Sequence, residues 1–348
     1  MKRKPCAILA LLAVVAAGEI QAGPLRDRIR ERVEERLAER AEDHAEAEFD
    51  DAAGQGGRAL GCAEWKQRVD RLQARAAARD AGPQPDRRDV AYGSGKLETL
   101  DVFYAGGARS GPAPVIVMVH GGGWCVGDKA GATLTANKVA RWTPKGFVFV
   151  SLNYPMVADG SDALAQAAHV ARAIAYVQAH AGDWGGDPAR VILMGHSAGA
   201  HLVSLVNADA DLRRAHGLQP VLGTISLDAG AIDVVRQMPK VYPFLKARYR
   251  EAFGDSEAQW IAASPYHRLD RSAGPWLGVC STTRQDDPCG QARAYAEKSN
   301  GLGIKASVLP QPRSHGAINK DLGLPGDYTR GVEAFMASLD PRLARLLE

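Results

Sequence analysis

Residues 190–207 of the chain read RVILMGHSAGAHLVSLVN, in which an apolar run, a turn of small residues and a helix-like run follow one another directly. The turn at 195–199, Gly-His-Ser-Ala-Gly, has the Gly-x-Ser-x-Gly pattern of a nucleophile elbow. So tight a turn has no room for a side chain at either glycine, and it holds Ser197 in a strained, exposed conformation. The following helix directs its N-terminus at the serine, which makes the N–H of Ala198 a candidate oxyanion donor.

The sequence around this stretch alternates between short apolar strands and helices. Strands are expected at 97–104, 115–119, 147–152, 190–194, 223–227, 276–280 and 306–309, and helices at 163–181, 200–207 and 329–339. Such alternation is typical of a mostly parallel central sheet flanked by helices. The sequence therefore predicts an α/β protein.

A glycine-rich loop at 120–124, His-Gly-Gly-Gly-Trp, follows the expected strand at 115–119. Glycine suits a site where backbone N–H groups must approach a negatively charged oxygen with no Cβ in the way. We therefore assign the N–H groups of Gly122 and Gly123 to an oxyanion hole, together with that of Ala198. The alternative, a phosphate-binding loop, lacks the lysine-serine pair that such a loop requires.

A serine near neutral pH needs a base to accept its proton, and this base is expected late in the chain, on a loop that reaches the elbow. His315, within Ser-His-Gly after the strand at 306–309, fits this position. His267 is the rival, because it precedes the strand expected to carry the acid. Of the other histidines, His120 and His196 fall in the two glycine motifs, and His169, His180 and His201 fall on expected helices.

The acid that orients the histidine is expected after the strand at 276–280, where Asp286 and Asp287 stand side by side. Asp287 is favoured because Pro288 and Cys289 would hold it rigidly, with Asp286 close behind. One of the two aspartates is expected to be only a loop residue or the N-cap of a helix that begins near Gly290.

These motifs, in this order, resemble the α/β-hydrolase superfamily. More closely they resemble its esterase/lipase group, which includes hormone-sensitive-lipase-like carboxylesterases and arylformamidases. The likeness covers about residues 90–339 and includes Ser-Leu-Asn-Tyr at 151–154, Gly-Gly-Asp-Pro at 185–188 and Ser-Pro at 264–265. It implies an α/β-hydrolase fold, a serine–histidine–aspartate site, and neither a cofactor nor a metal. The sequence likewise has no paired His or Cys ligands at metal spacing.

Two departures from the family pattern bear on the substrate. His196 stands where many hormone-sensitive-lipase-like members have Asp, and the acid loop at 280–291 is longer than the usual turn and contains cysteines. The predicted activity is cleavage of small to medium carboxylic esters through an acyl-enzyme on Ser197. The alternatives are an arylformamidase-like amide hydrolase and a non-catalytic, hydrolase-like binding protein that recruits a partner through its N-terminal helices.

The N-terminal segment predicts export. Residues 1–22 combine Lys-Arg-Lys, an apolar run and small residues at a plausible cleavage position, as in a signal peptide. The run is about half of the ~20 residues that a bilayer span needs, so an integral membrane protein is not expected. We expect a charged helical extension and linker over 23–85, a catalytic domain over 86–348, and a periplasmic or secreted location.

The composition and the cysteines limit which partners and which cellular compartment are expected. The 348 residues carry 43 Lys and Arg against 40 Asp and Glu, a formal net charge of +3, with the two signs intermixed, which argues against nucleic acid as a partner. The expected partner is a small-molecule ester. Four cysteines remain after the signal peptide, and we expect a Cys280–Cys289 disulfide and, as a weaker hypothesis, Cys62–Cys125. The alternative is that some of these thiols stay free and buried.

Overall fold

An eight-stranded sheet forms the centre of the protein in the computed structural model, which describes residues 60–76, 82–107 and 111–348. Its strands lie in the order β1-β2-β4-β3-β5-β6-β7-β8. The β1–β2 and β2–β4 pairs are antiparallel, and the pairs from β4 to β8 are parallel. The strands are β1 (Arg87–Ala91), β2 (Thr99–Phe103), β3 (Ala113–Val119), β4 (Val148–Leu152), β5 (Gly186–His196), β6 (Gly223–Leu227), β7 (Trp276–Ser281) and β8 (Ala306–Gln311).

Helices connect the parallel strands and cover both faces of the sheet. The longest helix in the described ranges is Ala163–His180, whose N-cap Asp162 accepts a hydrogen bond from the N–H of Ala165 at 2.8 Å. The helices are α1 (Cys62–Ala76), α2 (Ala132–Trp142), α3 (Ala163–His180), α4 (Ala198–Ala208), α5 (Ala210–Ala215), α6 (Val234–Gln237), α7 (Lys246–Phe253), α8 (Glu257–Ala262), α9 (Pro265–Arg268), α10 (Pro288–Gly301), α11 (His315–Lys320), α12 (Asp327–Ala337) and α13 (Pro341–Leu347).

The core has two layers, one on each face of the sheet. All seven residues of β3 are buried, and because side chains alternate along a strand, they divide between the layers. Val115, Val117 and Val119 pack on the face covered by α3 and α4, whereas Ile116 and Met118 pack on the face covered by α2 and α12. Burial on both faces explains why the central strands read as continuous apolar runs.

The predicted α/β-hydrolase architecture is confirmed, and the structure also contains elements that the sequence analysis did not predict. The sequence analysis did not predict β1, because this edge strand is short and mostly exposed. It also did not predict the four short helices α6 to α9, which fill the connection between β6 and β7. In the described part of the chain, no helix is both long and apolar enough to cross a membrane.

Two disulfides join the four cysteines of the described residues. Cys280, at the end of β7, is bonded to Cys289 in α10, as predicted. Cys62, at the start of α1, is bonded to Cys125, which directly follows the glycine-rich loop. The predicted signal peptide at 1–22 and most of the predicted extension at 23–85 lie outside the described residues.

Candidate active site

The elbow lies between β5, which ends at His196, and α4, which begins at Ala198. Ser197 has a φ of 55°, a left-handed conformation that is rare for a residue with a side chain. A Cβ on Gly195 would lie 2.3 Å from the carbonyl oxygen of Gly199, and one on Gly199 would lie 2.2 Å from that of Val119. Both glycines are therefore required for the sterically crowded turn, as the motif predicts.

A cavity of about 290 Å³ opens over the elbow. Ser197 and His315 both line it, as do Gly123 and Trp124 of the glycine-rich loop. The other lining residues are Gly230, Tyr242, Leu245, Arg248, Tyr249, Thr283, Arg284 and Gln285. The structure thus brings the predicted nucleophile and the predicted base into one cavity whose walls are mainly aromatic and polar.

The glycine-rich loop packs against the serine. A Cβ on Gly121 would lie 2.9 Å from the Cβ of Ser197. Gly122 has a φ of 103°, and its carbonyl accepts hydrogen bonds from the N–H groups of Cys125 and Val126, each at 3.1 Å. This tight turn places Gly123 at the cavity wall. Ala198 is the first residue of α4, where N–H groups have no acceptor within the helix.

His315 is oriented by Asp228. Its Nδ1 lies 2.7 Å from Oδ2 of Asp228, and both side chains are buried. Asp228 directly follows β6 and has a φ of 54°, and its Oδ1 accepts the N–H of Ser281 at 2.7 Å. The hydrogen bond to Nδ1 selects the imidazole tautomer whose lone pair is at Nε2.

Asp228 thus corrects the expectation that Asp286 or Asp287 would contact the histidine. Asp287 is the N-cap of α10, accepts the N–H of Gly290 at 2.9 Å and pairs with Arg236 on the outer side of the loop. Asp286 pairs with Arg284. The physical reason is that α10 begins at Pro288, so the helix start takes Asp287 as its cap and turns it away from the sheet edge.

Sequence reasoning missed Asp228 because it looked for the acid only after β7. The carboxyl ends of β6 and β7 are neighbours in the sheet, so an aspartate after either strand can reach the loop after β8. An available signal was the position of Asp228 directly after the buried strand at 223–227. His267, the rival base, lies on α9 and faces Asp233, with its Nε2 3.3 Å from Oδ1 of that residue.

Burial and the charge of Arg284 shift the pKa values of the buried groups in the site. Burial alone would raise the pKa of Asp228, but the charge of Arg284 and the hydrogen bonds from His315 and Ser281 outweigh it and hold that pKa well below its usual range. Asp228 is therefore a carboxylate at neutral pH. Burial, followed by the charge of His315, lowers the pKa of His196 well below its ordinary value, so His196 is a neutral neighbour.

His196 supports the base from the elbow side. Its Nε2 lies 3.0 Å from the backbone oxygen of His315, and the two rings are 4.6 Å apart.

Tyr154 belongs to the core, where its hydroxyl donates to the carbonyl of His120 at 2.9 Å. Across the described ranges 60–76, 82–107 and 111–348, no group of three or more His, Cys, Asp or Glu side chains is arranged to hold a metal ion.

An elbow serine after β5, a histidine after β8 and a buried aspartate on one edge of this sheet define the α/β-hydrolase class. The chain belongs to the esterase/lipase group of that superfamily. A family model described as BD-FAE matches residues 100–237.

The relatives of the chain are esterases by name. "Esterase LipQ" of Mycobacterium tuberculosis is 30% identical over 266 residues, which cover 68% of this chain and 60% of the relative. "Isoprenylcysteine alpha-carbonyl methylesterase ICME" of Arabidopsis thaliana is 34% identical over 242 residues, covering 64% of this chain and 54% of the relative. The chain thus spans little more than half the length of these two relatives.

Solved structures share the fold. A "truncated form of carbohydrate esterase from gut microbiota" has a TM-score of 0.61 at 18% identity, and covers 75% of this chain and 99% of its own. The esterase Est2 of Thermogutta terrifontis has a TM-score of 0.61 at 22% identity, with 74% and 94% covered. At these identities the likeness concerns the architecture.

Proposed function

We propose that the protein is a serine carboxylesterase with Ser197 as nucleophile, His315 as general base and Asp228 as the acid that orients the base. The observation that carries this proposal is the 2.7 Å contact of His315 Nδ1 with the buried Asp228, because His315 lines the same cavity as Ser197. Family membership and the esterase names of the relatives support it.

In the first half of the reaction, Ser197 Oγ attacks the ester carbonyl while Nε2 of His315 accepts its proton. The imidazolium that forms is stabilised by the ionised Asp228. The negative charge on the substrate oxygen is stabilised by the N–H groups of Gly122, Gly123 and Ala198, each typically contributing about 3–4 kcal/mol in the transition state. The histidine then donates its proton to the leaving alcohol, which leaves an acyl-serine.

In the second half, water replaces the alcohol. His315 removes a proton from the water, the resulting hydroxide attacks the acyl carbonyl, and the proton returns to Ser197 as the acid is released. The cavity of about 290 Å³ is at the lower limit of the ~300–1,000 Å³ typical of small-molecule sites, which favours small to medium esters.

The test is intact mass after treatment of the purified protein with a fluorophosphonate, with hydrolysis of aryl esters from acetyl to decanoyl measured in parallel. We expect one adduct and turnover that falls as the acyl chain lengthens. Ser197→Ala should lose the adduct, and its kcat should fall on the order of 10⁶-fold. A folded wild-type protein with neither adduct nor turnover would overturn the proposal and favour the non-catalytic alternative.

We also propose that the protein is exported, with residues 1–22 removed, and that residues 86–348 form the catalytic domain. The two disulfides support an oxidising compartment. The mass of the protein recovered from a periplasmic or medium fraction tests the export proposal. We expect the mature chain to begin near residue 23, and an intact N-terminus in the cytosolic fraction would contradict it.

A further inference from the structure

Arg284 contacts the acid–histidine pair from the loop after β7. It lines the cavity, and its side chain is only 14% exposed. Its Nη1 donates to Asp228 Oδ2 at 2.9 Å and to the backbone oxygen of Asp228 at 3.1 Å. The same nitrogen lies 3.2 Å from His315 Nδ1. One guanidinium therefore contacts both the carboxylate and the imidazole of the proposed triad.

Asp286 holds the opposite side of this guanidinium. Arg284 Nε donates to Asp286 Oδ1 at 2.9 Å, and Nη2 donates to Oδ2 at 2.5 Å, which makes the pair bidentate. Asp286 in turn accepts from Gln237 Nε2 at 3.3 Å. A Cβ on Gly230 would lie 2.8 Å from Arg284 Nη2, so the chain leaves space for the arginine there. The result is a continuous row of Asp286, Arg284, Asp228 and His315.

The row is almost fully shielded from water, so the interactions between its charges are strong. Asp228 is fully buried and the Asp286 side chain is 3% exposed. Two carboxylates and one guanidinium sum to −1, and protonation of His315 brings the row to 0. Without Arg284 the same two carboxylates would leave −2 beside the imidazole. Burying two carboxylates without a compensating cation destabilises the folded protein. Arg284 therefore stabilises Asp228 and Asp286 in their buried positions.

We propose that Arg284 is a positioning residue for ester hydrolysis: it fixes the ionised Asp228 against His315 Nδ1 and limits how strongly that carboxylate favours the imidazolium. The proposal rests on the proposed function of the site. Asp286, which the sequence analysis considered as the acid, acts indirectly, because it holds Arg284 in position. A bidentate guanidinium suits this role because its fork fixes direction as well as charge.

The charge of Arg284 has a measurable consequence. The charged and titratable groups in contact with His315 or in the row beside it come from several elements: Asp228 after β6, Arg284 and Asp286 after β7, and His196 at the end of β5. Lys138 on α2 and Tyr328 on α12 bind the backbone of Asn319 and Ile318 on α11, the helix that begins at His315. Removing the cation makes protonation of the imidazole easier. The acidic limb of the kcat/KM–pH profile should then move to higher pH, because the base must be unprotonated to act.

The experiment compares wild type with Arg284→Met, Arg284→Gln and Arg284→Lys, by aryl ester kinetics and by fluorophosphonate labelling rates across pH. Arg141→Met is the matched control, because Arg141 makes a bidentate pair with Glu333 on the far side of the sheet from the cavity. Circular dichroism and thermal unfolding identify folded variants, and the Gln variant replaces the Met variant if the latter does not fold.

We expect kcat of the two neutral variants to fall on the order of 10- to 100-fold, as for a catalytic group displaced by about 1 Å. Their acidic limb should move up by about one pH unit. Arg284→Lys should return the acidic limb of the pH profile to its wild-type position and restore part of kcat, whereas Arg141→Met should change only thermal stability. A folded neutral variant with wild-type kcat, or one whose limb does not move, would overturn the proposal. A wild type that fails to react with the fluorophosphonate would overturn the proposed function itself, and this inference with it.

Discussion

The two sides of the candidate active site are built differently. On the nucleophile side, the loop at 120–124 and the elbow at 195–199 follow adjacent parallel strands, and each is a short run of consecutive residues. On the acid side, Asp228, Arg284 and His315 come from three separate loops, after β6, β7 and β8. The first side is specified by local backbone geometry, and the second by which strands lie next to one another.

This contrast explains which residues of the site can be recognised from sequence motifs. A tight turn excludes side chains, so its glycines can be recognised within five residues. An aspartate needs only to reach a histidine nitrogen, and a carboxylate after β6 or β7 can do so. Accordingly, the sequence analysis named Ser197 and His315, which line one cavity in the structure, but it expected Asp286 or Asp287 at the histidine contact that Asp228 makes.

The largest expected effect separates the two aspartate assignments. Asp228→Asn should lower kcat on the order of 10³- to 10⁴-fold, because the histidine loses the carboxylate that selects its tautomer and stabilises its charge. Asp287→Asn should leave kcat unchanged and change stability little, because asparagine caps a helix about as well as aspartate. Steady-state kinetics and thermal unfolding of both variants test this. Equal losses of kcat would contradict a single acid at Asp228.

The next effect tests the nucleophile side. A Cβ on Gly122 would lie 1.9 Å from the carbonyl oxygen of Val126, so Gly122→Ala must displace the glycine-rich loop. We expect kcat to fall on the order of 10²-fold through a weakened oxyanion hole. Gly160→Ala is the matched control: Gly160 also has a left-handed φ, 87°, but nothing lies within 4 Å of an added Cβ. If both variants lost activity equally, backbone strain alone would explain the loss.

The disulfides allow each side to be loosened separately. Cys62–Cys125 anchors the residue next to the glycine-rich loop and closes 63 residues, whereas Cys280–Cys289 holds the acid-side loop and closes only 9. By loop entropy their removal should cost about 4 and about 3 kcal/mol of unfolding free energy. Denaturant unfolding of the Cys62→Ala/Cys125→Ala and Cys280→Ala/Cys289→Ala proteins measures both. A larger loss from the short loop would show that strain or packing outweighs entropy.

The smallest expected effect concerns His201, a buried histidine of the nucleophile helix α4. Burial lowers the pKa of His201 to about 4, below its unfolded value of about 6.5. The unfolded chain therefore binds the extra proton between these values, so stability falls as pH drops from about 6.5 to 4, by about 1–3 kcal/mol. Denaturant unfolding at pH 7.5 and 4.5 measures the loss.

The controls for this titration are two substitutions. His201→Gln should reduce the pH dependence, because the titrating group is removed, and His180→Gln serves as the surface control. If His201→Gln unfolded with the same pH dependence as the wild type, other groups would account for the loss of stability in acid.

Several parts of the fold were predictable because they depend on local pattern. The expected strand at 223–227 coincides with β6, and that at 115–119 lies within β3, since buried parallel strands read as apolar runs. The short helices α6 to α9 were not predicted. They are four to eight residues long, and their apolar residues pack against neighbours distant in sequence rather than forming a long periodic stripe.

By itself, the sequence determined the α/β architecture, the elbow serine, the glycine-rich loop and the late histidine, because each is written in consecutive residues with a steric or periodic signature. Only the tertiary structure decided the acid side. Strand order β6-β7-β8 brings Asp228 to His315, the helix start at Pro288 turns Asp287 outward, and the remaining space between Asp228 and Asp286 is filled by Arg284. Charge pairing in a buried site depends on distances across the sheet, and no spacing along the chain encodes those distances.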